Sequence, residues 1–152
     1  MNPHITIDGV SRYEDVNKIN ALINHESVNR WTTFGENVDV SGVMESGRAL
    51  FLGDEHGGFL VFNEGEGVWS VHTQFLKGHR SNALEKAKNG IAWMFVNTDC
   101  IALVTFVQYE NLAAKNLSLA SGMTFVRDDE QMGKKGEIFC INIKDWVRLI
   151  CQ

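Results

Sequence analysis

The chain has no long apolar run, and its opening Met1-Asn-Pro-His-Ile-Thr6 lacks the basic and apolar regions of a signal peptide. Neither membrane insertion nor secretion by that route is expected, and a cytoplasmic location follows. Cysteine is scarce. Cys100, Cys140 and Cys151 are odd in number and widely spaced, which points to reduced thiols rather than a disulfide framework. No His or Cys pair has the spacing of a zinc site, so no metal is expected. No Ser, His and Asp set sits in a recognisable triad motif. Nor is there a surplus of positive charge: 14 Lys and Arg against 19 Asp and Glu leave a net charge of -5, which argues against direct nucleic-acid binding. Repeats, linkers and low-complexity segments are also missing. The 152 residues therefore read as one domain, 1–152, long enough to bury a core without disulfides or metals.

The most informative stretch runs from Gly67 to Phe125. Val68 to Phe75 is rich in β-branched and aromatic residues between Gly67 and Lys77-Gly78, the pattern of a strand. A helix follows, with Asn82 and Glu85 at capping-box spacing and Ala83, Ala87, Ile91, Met94 and Phe95 at helical intervals. Ile101 to Val107 is apolar without alternation, as in a strand covered on both faces. Asn111 opens a second helix that Gly122 can end in a left-handed conformation. Strand, helix, strand implies a right-handed crossover with the two strands parallel. The turn from Leu76 to Asn82 then lies at a strand's carboxyl end and a helix's amino end, where α/β proteins tend to bind anions. Lys77, His79, Arg80, Lys86 and Lys88 gather there, with Glu85 the one acid among them. They read either as a phosphate-binding turn or as a solvated helix face.

Elsewhere the signals are shorter. His4 to Asp8 reads as a strand, and Arg12 to Asn24 as a helix capped by Ser11. From His25 to Gly47 short helical pieces are expected, broken by Gly35 and Gly42; in many α/β enzymes such a region walls a substrate cleft. Ala49 to Leu52 and Gly58 to Phe62 form an antiparallel meander with the strand at Val68, through turns at 53–57 and 63–67. Met123 to Arg127 and Glu137 to Ile143 are two more strands around a polar loop, Asp128 to Gly136, and Asp145 to Ile150 is a terminal helix.

This order of elements resembles the GNAT superfamily of N-acetyltransferases. The sharpest likeness is Asn111, then Ala114, Leu117 and Gly122 followed by Met123, which is similar to the family's spacing of Asn, Ala three on, Leu six on and Gly eleven on. The resemblance implies an α/β (α+β) fold with a mixed central sheet of six to seven strands flanked by helices. It also implies acetyl-CoA as cofactor and an amine as acceptor. Contacts to acetyl-CoA would fall on Thr73 and Phe75 of the strand, on Lys77, Gly78, His79, Arg80, Ser81 and Asn82 of the turn, and on Asn111.

Two departures from the pattern have physical consequences. Lys77, Arg80 and Asn82 stand where the family's loop has Arg or Gln, Gly, and Gly or Ala. Side chains at the two glycine positions obstruct a close phosphate approach, and Asn82 would compete for helix NH groups by capping its own helix. Arg80 would then hold phosphate through its guanidinium. Ser118 occupies the place of the Tyr that in many members protonates the leaving thiolate, with Tyr109 as a possible substitute.

His72, mid-strand, reads either as a general base or as a satisfied core residue. Glu110 is a second candidate base, or a helix-start carboxylate. Trp69 and Trp93 are read as core residues. Two functions follow: an acetyl-CoA-dependent N-acyltransferase of unknown acceptor, or a catalytically degenerate relative serving as an assembly factor. The turn Lys77 to Ala83 and Trp93-Met-Phe95 also look like small GNAT-like proteins of tailed bacteriophages. That likeness implies a role in virion head assembly or DNA delivery, in the host cytoplasm, with phage structural proteins as partners.

Overall fold

The computed structural model describes residues 5–7 and 9–152. Three short helices come first, α1 Val16–Ile23, α2 Glu26–Thr32 and α3 Ser41–Glu45. They are followed by strands β1 Ala49–Asp54, β2 Gly57–Gly65 and β3 Val68–Phe75, then helix α4 Ala83–Asn97 and strand β4 Ala102–Gln108. Helix α5 Leu112–Ala120, strands β5 Thr124–Gln131 and β6 Lys134–Asn142, and helix α6 Ile143–Ile150 complete the chain. The strands form one six-stranded sheet in the order β1-β2-β3-β4-β6-β5. All neighbours are antiparallel except β3 and β4, which run parallel as the crossover through α4 requires.

A separate core lies on each face of the sheet. On one, Trp69 and Phe75 pack with Ala87, Ile91, Met94 and Phe95 of α4 and with Leu103 and Val107 of β4. On the other, Ile19, Leu22, Ile23 and Val28 cover Ala49, Phe51 and Leu60. Alternation along the strands accounts for both, since successive side chains of β3 point to opposite faces. Trp69 and Trp93 are buried as expected.

Several boundaries differ from the expectation. In the predicted first strand, His4 and Asp8 lie outside the described residues, and Ile7 makes only an isolated bridge to Val10. Ile5 is held instead by the Asn97 side chain at the end of α4, whose amide accepts from the Ile5 NH at 2.6 Å and donates to its carbonyl at 2.9 Å. Ser11 does not cap α1. Its carbonyl accepts from Gly53 at 3.0 Å, while the Tyr13 NH donates to Phe51 at 2.8 Å, so this segment runs along β1. The helix therefore starts at Val16, with Asp15 accepting from the Lys18 NH at 3.2 Å. Gly42 lies inside α3 rather than breaking it.

The expected turn at 63–67 shrinks because β2 continues through a bulge to Gly65. The expected polar loop 128–136 is a hairpin: β5 and β6 pair out to Gln131 and Lys134. Between them Met132 (φ 51°) and Gly133 (φ 76°) make a two-residue turn, and positive φ at both central positions suits the twist of a tight hairpin. Helix α6 begins at Ile143, where the Asn142 side chain accepts from the Asp145 NH at 2.8 Å.

Candidate functional site

The centre of the sheet is split. Strands β3 and β4 pair only through Val68–Ala102, Trp69–Leu103 and Ser70–Val104. Beyond Ser70, β3 stays with β2 as far as Phe75, and beyond Val104, β4 stays with β6 as far as Gln108. At the crotch the Thr105 hydroxyl donates to the Val71 carbonyl at 2.9 Å, replacing the ladder bond lost there. A cleft of about 440 Å³ opens past this bond, within the roughly 300–1,000 Å³ of small-molecule sites.

The cleft passes through the sheet, and its two sides have different walls. On the α4 and α5 side lie Thr73, Phe75, Ser81, Asn111, Leu117 and Ser118. On the α2 side lie Val28, Trp31, Thr32, His72 and Phe106. The weakly patterned region after His25 thus supplies one wall, through α2. The Gln108 amide fixes that wall by donating to the Arg30 and Trp31 carbonyls, each at 3.3 Å.

His72 is partly buried, and its ring stands edge-on to Phe62 at 5.2 Å. No hydrogen bond to its ring occurs among the described residues, and the ring lines the cleft. Burial pushes its imidazole below the ordinary range, with only the Glu64 carboxylate opposing. A neutral imidazole facing a cleft is equipped to accept a proton.

The two candidate proton donors are placed differently. The buried Ser118 hydroxyl reaches the cleft wall but donates to the Ala114 carbonyl at 2.9 Å. Tyr109 does not enter the cleft. It lines a separate hollow and donates to the Asp128 carboxylate at 2.6 Å, which pushes its phenol up to about 12. Glu110 lies in that same hollow.

The basic turn fans out instead of forming one patch. Arg80 donates through Nε to the Phe75 carbonyl and through Nη2 to the Ser27 carbonyl, each at 3.2 Å, so its guanidinium straps the turn to β3 and α2. His79 stacks on His56 at 4.4 Å, and Lys86 lies over the Phe75 ring at 5.6 Å. Lys77 and Gly78 are exposed, while Lys88 lines a shallow hollow outside the helix start together with Asn82. Of the turn, Arg80 and Ser81 line the cleft.

The expected capping box does not form. Asn82 takes the N-cap position with φ -108° and ψ 23° and makes no side-chain cap bond. Its side chain therefore does not compete for the NH groups that open α4; the Ala83 NH donates to the Arg80 carbonyl at 3.2 Å, and those of Leu84 and Glu85 face the helix start. Asn111 does cap α5, accepting from the Ala114 NH at 3.2 Å. Gly122 (φ 106°) ends that helix as expected, with Met123 and Gly122 donating back to Ser118 and Leu119 at 3.0 and 3.1 Å.

Sequence reasoning missed Trp31, Thr32, Thr105 and Phe106. Their position follows from the sheet splitting after Ser70, which no local pattern announces. Among the described residues no group of three or more His, Cys, Asp or Glu is placed to hold a metal, and no helix is long and apolar enough to cross a membrane.

No family model and no curated protein matches the chain. Solved structures do. A spermidine N-acetyltransferase from Vibrio cholerae in complex with CoA and spermine superposes with a TM-score of 0.74 at 11% identity, covering 91% of this chain and 96% of that one. An aminoglycoside acetyltransferase in complex with coenzyme A and kanamycin gives 0.71 at 11% identity over the same shares. The aminoglycoside acetyltransferase with paromomycin and acetyl-CoA gives 0.71 at 12% identity, covering 93% and 97%. The chain has the fold of the GNAT acetyltransferases, as the Asn111 motif and the element order implied.

Proposed function

We propose that the chain is an acyl-CoA-dependent N-acyltransferase, using acetyl-CoA to acylate an amine acceptor. The observation that carries this reading is the split between β3 and β4, which opens a passage from the start of α4 to the imidazole of His72. The similar structures were solved with CoA or acetyl-CoA and an amine ligand, which supports the same chemistry here.

Acetyl-CoA, when bound, supplies a thioester whose carbonyl carbon is open to attack by an amine. The start of α4, which has no side-chain cap, offers the Leu84 and Glu85 NH groups and the positive end of the helix dipole to its phosphates, the Ala83 NH being held by the Arg80 carbonyl. This replaces the close glycine approach that Arg80 and Asn82 obstruct, and the strapped Arg80 holds the turn's shape. The β4-facing backbone of residues 71–75 borders the gap and can polarise the carbonyl. His72, neutral near pH 7, removes the amine proton as the N–C bond forms and the C–S bond breaks. Water in the open cleft could protonate the thiolate that such a transfer would release. A dedicated acid is not required, which agrees with Ser118 being committed to Ala114.

A second reading, a catalytically degenerate binding or assembly factor, draws support from the engaged Arg80 and Ser118. Isothermal titration with acetyl-CoA separates the two. The transferase binds in the micromolar range, and Ser81→Glu, which sets a carboxylate at the mouth of the α4 start, weakens binding at least tenfold, about 1.4 kcal/mol. Absence of binding at millimolar acetyl-CoA overturns the transferase reading.

A further inference from the structure

Beside the acceptor side of the cleft is a second hollow, of about 610 Å³, lying between the end of α2 and the β5–β6 hairpin. Trp31 is common to both, so a molecule in the hollow adjoins the passage to His72. Three cations line it, Arg30, Lys134 and Lys135, against the single carboxylate of Glu110. None of the three is in an ion pair among those found for the described residues. In a protein with a net charge of -5, this local excess of positive charge runs against the whole.

The walls are fixed as well as charged. Gln108 pins the Arg30–Trp31 backbone from β4. The Tyr109 NH donates to the Lys135 carbonyl at 3.2 Å and joins the hairpin to the end of the same strand. Asp128 is occupied by the Tyr109 hydroxyl. The Arg30 guanidinium lies over the Trp31 ring at 4.5 Å, which holds it on the rim while leaving its fork of donors in the plane of the stack.

Resting on the transferase reading, we propose that the acceptor carries an anionic group, carboxylate or phosphate, beside its amine, and that Arg30, Lys134 and Lys135 hold that group in this hollow. Convergent cations in a concave site raise the local concentration of an anion and repel a polycation. The acceptor class therefore differs from the spermine and kanamycin seen in the similar structures. An anionic group anchored here places the amine on the Trp31 side of the cleft, within the part of the passage that His72 faces.

The test uses three tetrapeptides with one lysine amine each, flanked by glutamates, by phosphoserines or by arginines. Each is titrated into the full chain by calorimetry and then assayed for acetyl-CoA-dependent transfer. Both anionic peptides are expected to bind at least tenfold tighter than the arginine peptide, with the difference falling as salt rises. The stronger of the glutamate and phosphoserine arms identifies the anion. Lys134→Gln/Lys135→Gln and, separately, Arg30→Gln should each remove most of that preference while acetyl-CoA titration stays unchanged. The proposal is overturned if the arginine peptide binds as well as the anionic ones, if none binds at millimolar concentration, or if both variants keep the preference. Failure of acetyl-CoA to bind, with anionic peptides still preferred, would count against the transferase reading alone.

Discussion

At the level of single residues, His72 carries the sharpest expectations. Its imidazole is held below the ordinary value by burial, so between its folded value and about 6.5 the unfolded chain binds more protons than the folded one. Stability contributed by neutral His72 is thus full above about pH 6.5 and is lost as the pH falls below it. Urea unfolding at pH 7.5 and 5.5 should show that loss in the wild type and a smaller one in His72→Phe. The same substitution removes the base, and kcat/KM for transfer should fall by about 10²–10⁴. By contrast, Ser118→Ala and Tyr109→Phe should leave kcat within about threefold, since both hydroxyls are already committed, to Ala114 and Asp128. A hundredfold loss in either variant would show it to be the acid. From sequence alone His72 could be placed on a strand but not on a face next to a gap. Arg80 could be placed on a turn, but its inward course to Phe75 and Ser27 depends on α2, which is distant in the chain.

At the level of elements, strands with strong β-branched and aromatic patterns were readable nearly to the residue, and β3 spans Val68–Phe75 as expected. The Asn111 cap and Gly122 terminus of α5 were equally legible, because capping chemistry is local. What escaped was set by distant partners: the start of α1, decided by backbone bonds from residues 11–13 to β1, and the β5–β6 hairpin, whose polar strands conceal it in the sequence. Two glycines, one just past the end of α5 and one inside α4, separate local from tertiary requirements. At Gly122 (φ +106°) an added Cβ would meet the Leu149 side chain at 2.5 Å in a conformation that disfavours L side chains. Gly122→Ala should therefore destabilise by about 1–3 kcal/mol. Gly90 has no positive φ, and a Cβ there would touch Phe59 at an ordinary 3.5 Å. Gly90→Ala should stabilise α4 by about 0.5–1 kcal/mol. Denaturant midpoints of the two variants should move in opposite directions.

Considered as a whole, the molecule consists of two half-sheets, β1-β2-β3 and β4-β6-β5, joined along a seam where only three residues of each strand face one another. Each half has its own run of antiparallel pairs, and the two share the core of Trp69, Phe75, Leu103, Val107 and Phe139. The seam is therefore the place where a ligand gains most by bridging, because one end of the cleft is built from β3 and the α4 start and the other from β4 and α5. A ligand that binds the native chain and not the unfolded one stabilises by about 2.7 kcal/mol at a hundredfold excess over Kd. For a domain of this length that corresponds to roughly 5–10 °C in Tm. Acetyl-CoA at that excess should raise the melting temperature by this amount, and Ser81→Glu should remove most of the rise without lowering the unliganded Tm, because Ser81 is exposed. Hydrogen exchange locates the effect more finely. Bridging predicts slower exchange on β3 and β4 together, past Ser70 and Val104, whereas a ligand held only at the α4 start would protect the turn at 76–82 and leave β4 unchanged. Protection confined to that turn would mean that the passage to His72 is not entered, and the transferase reading would fail with it.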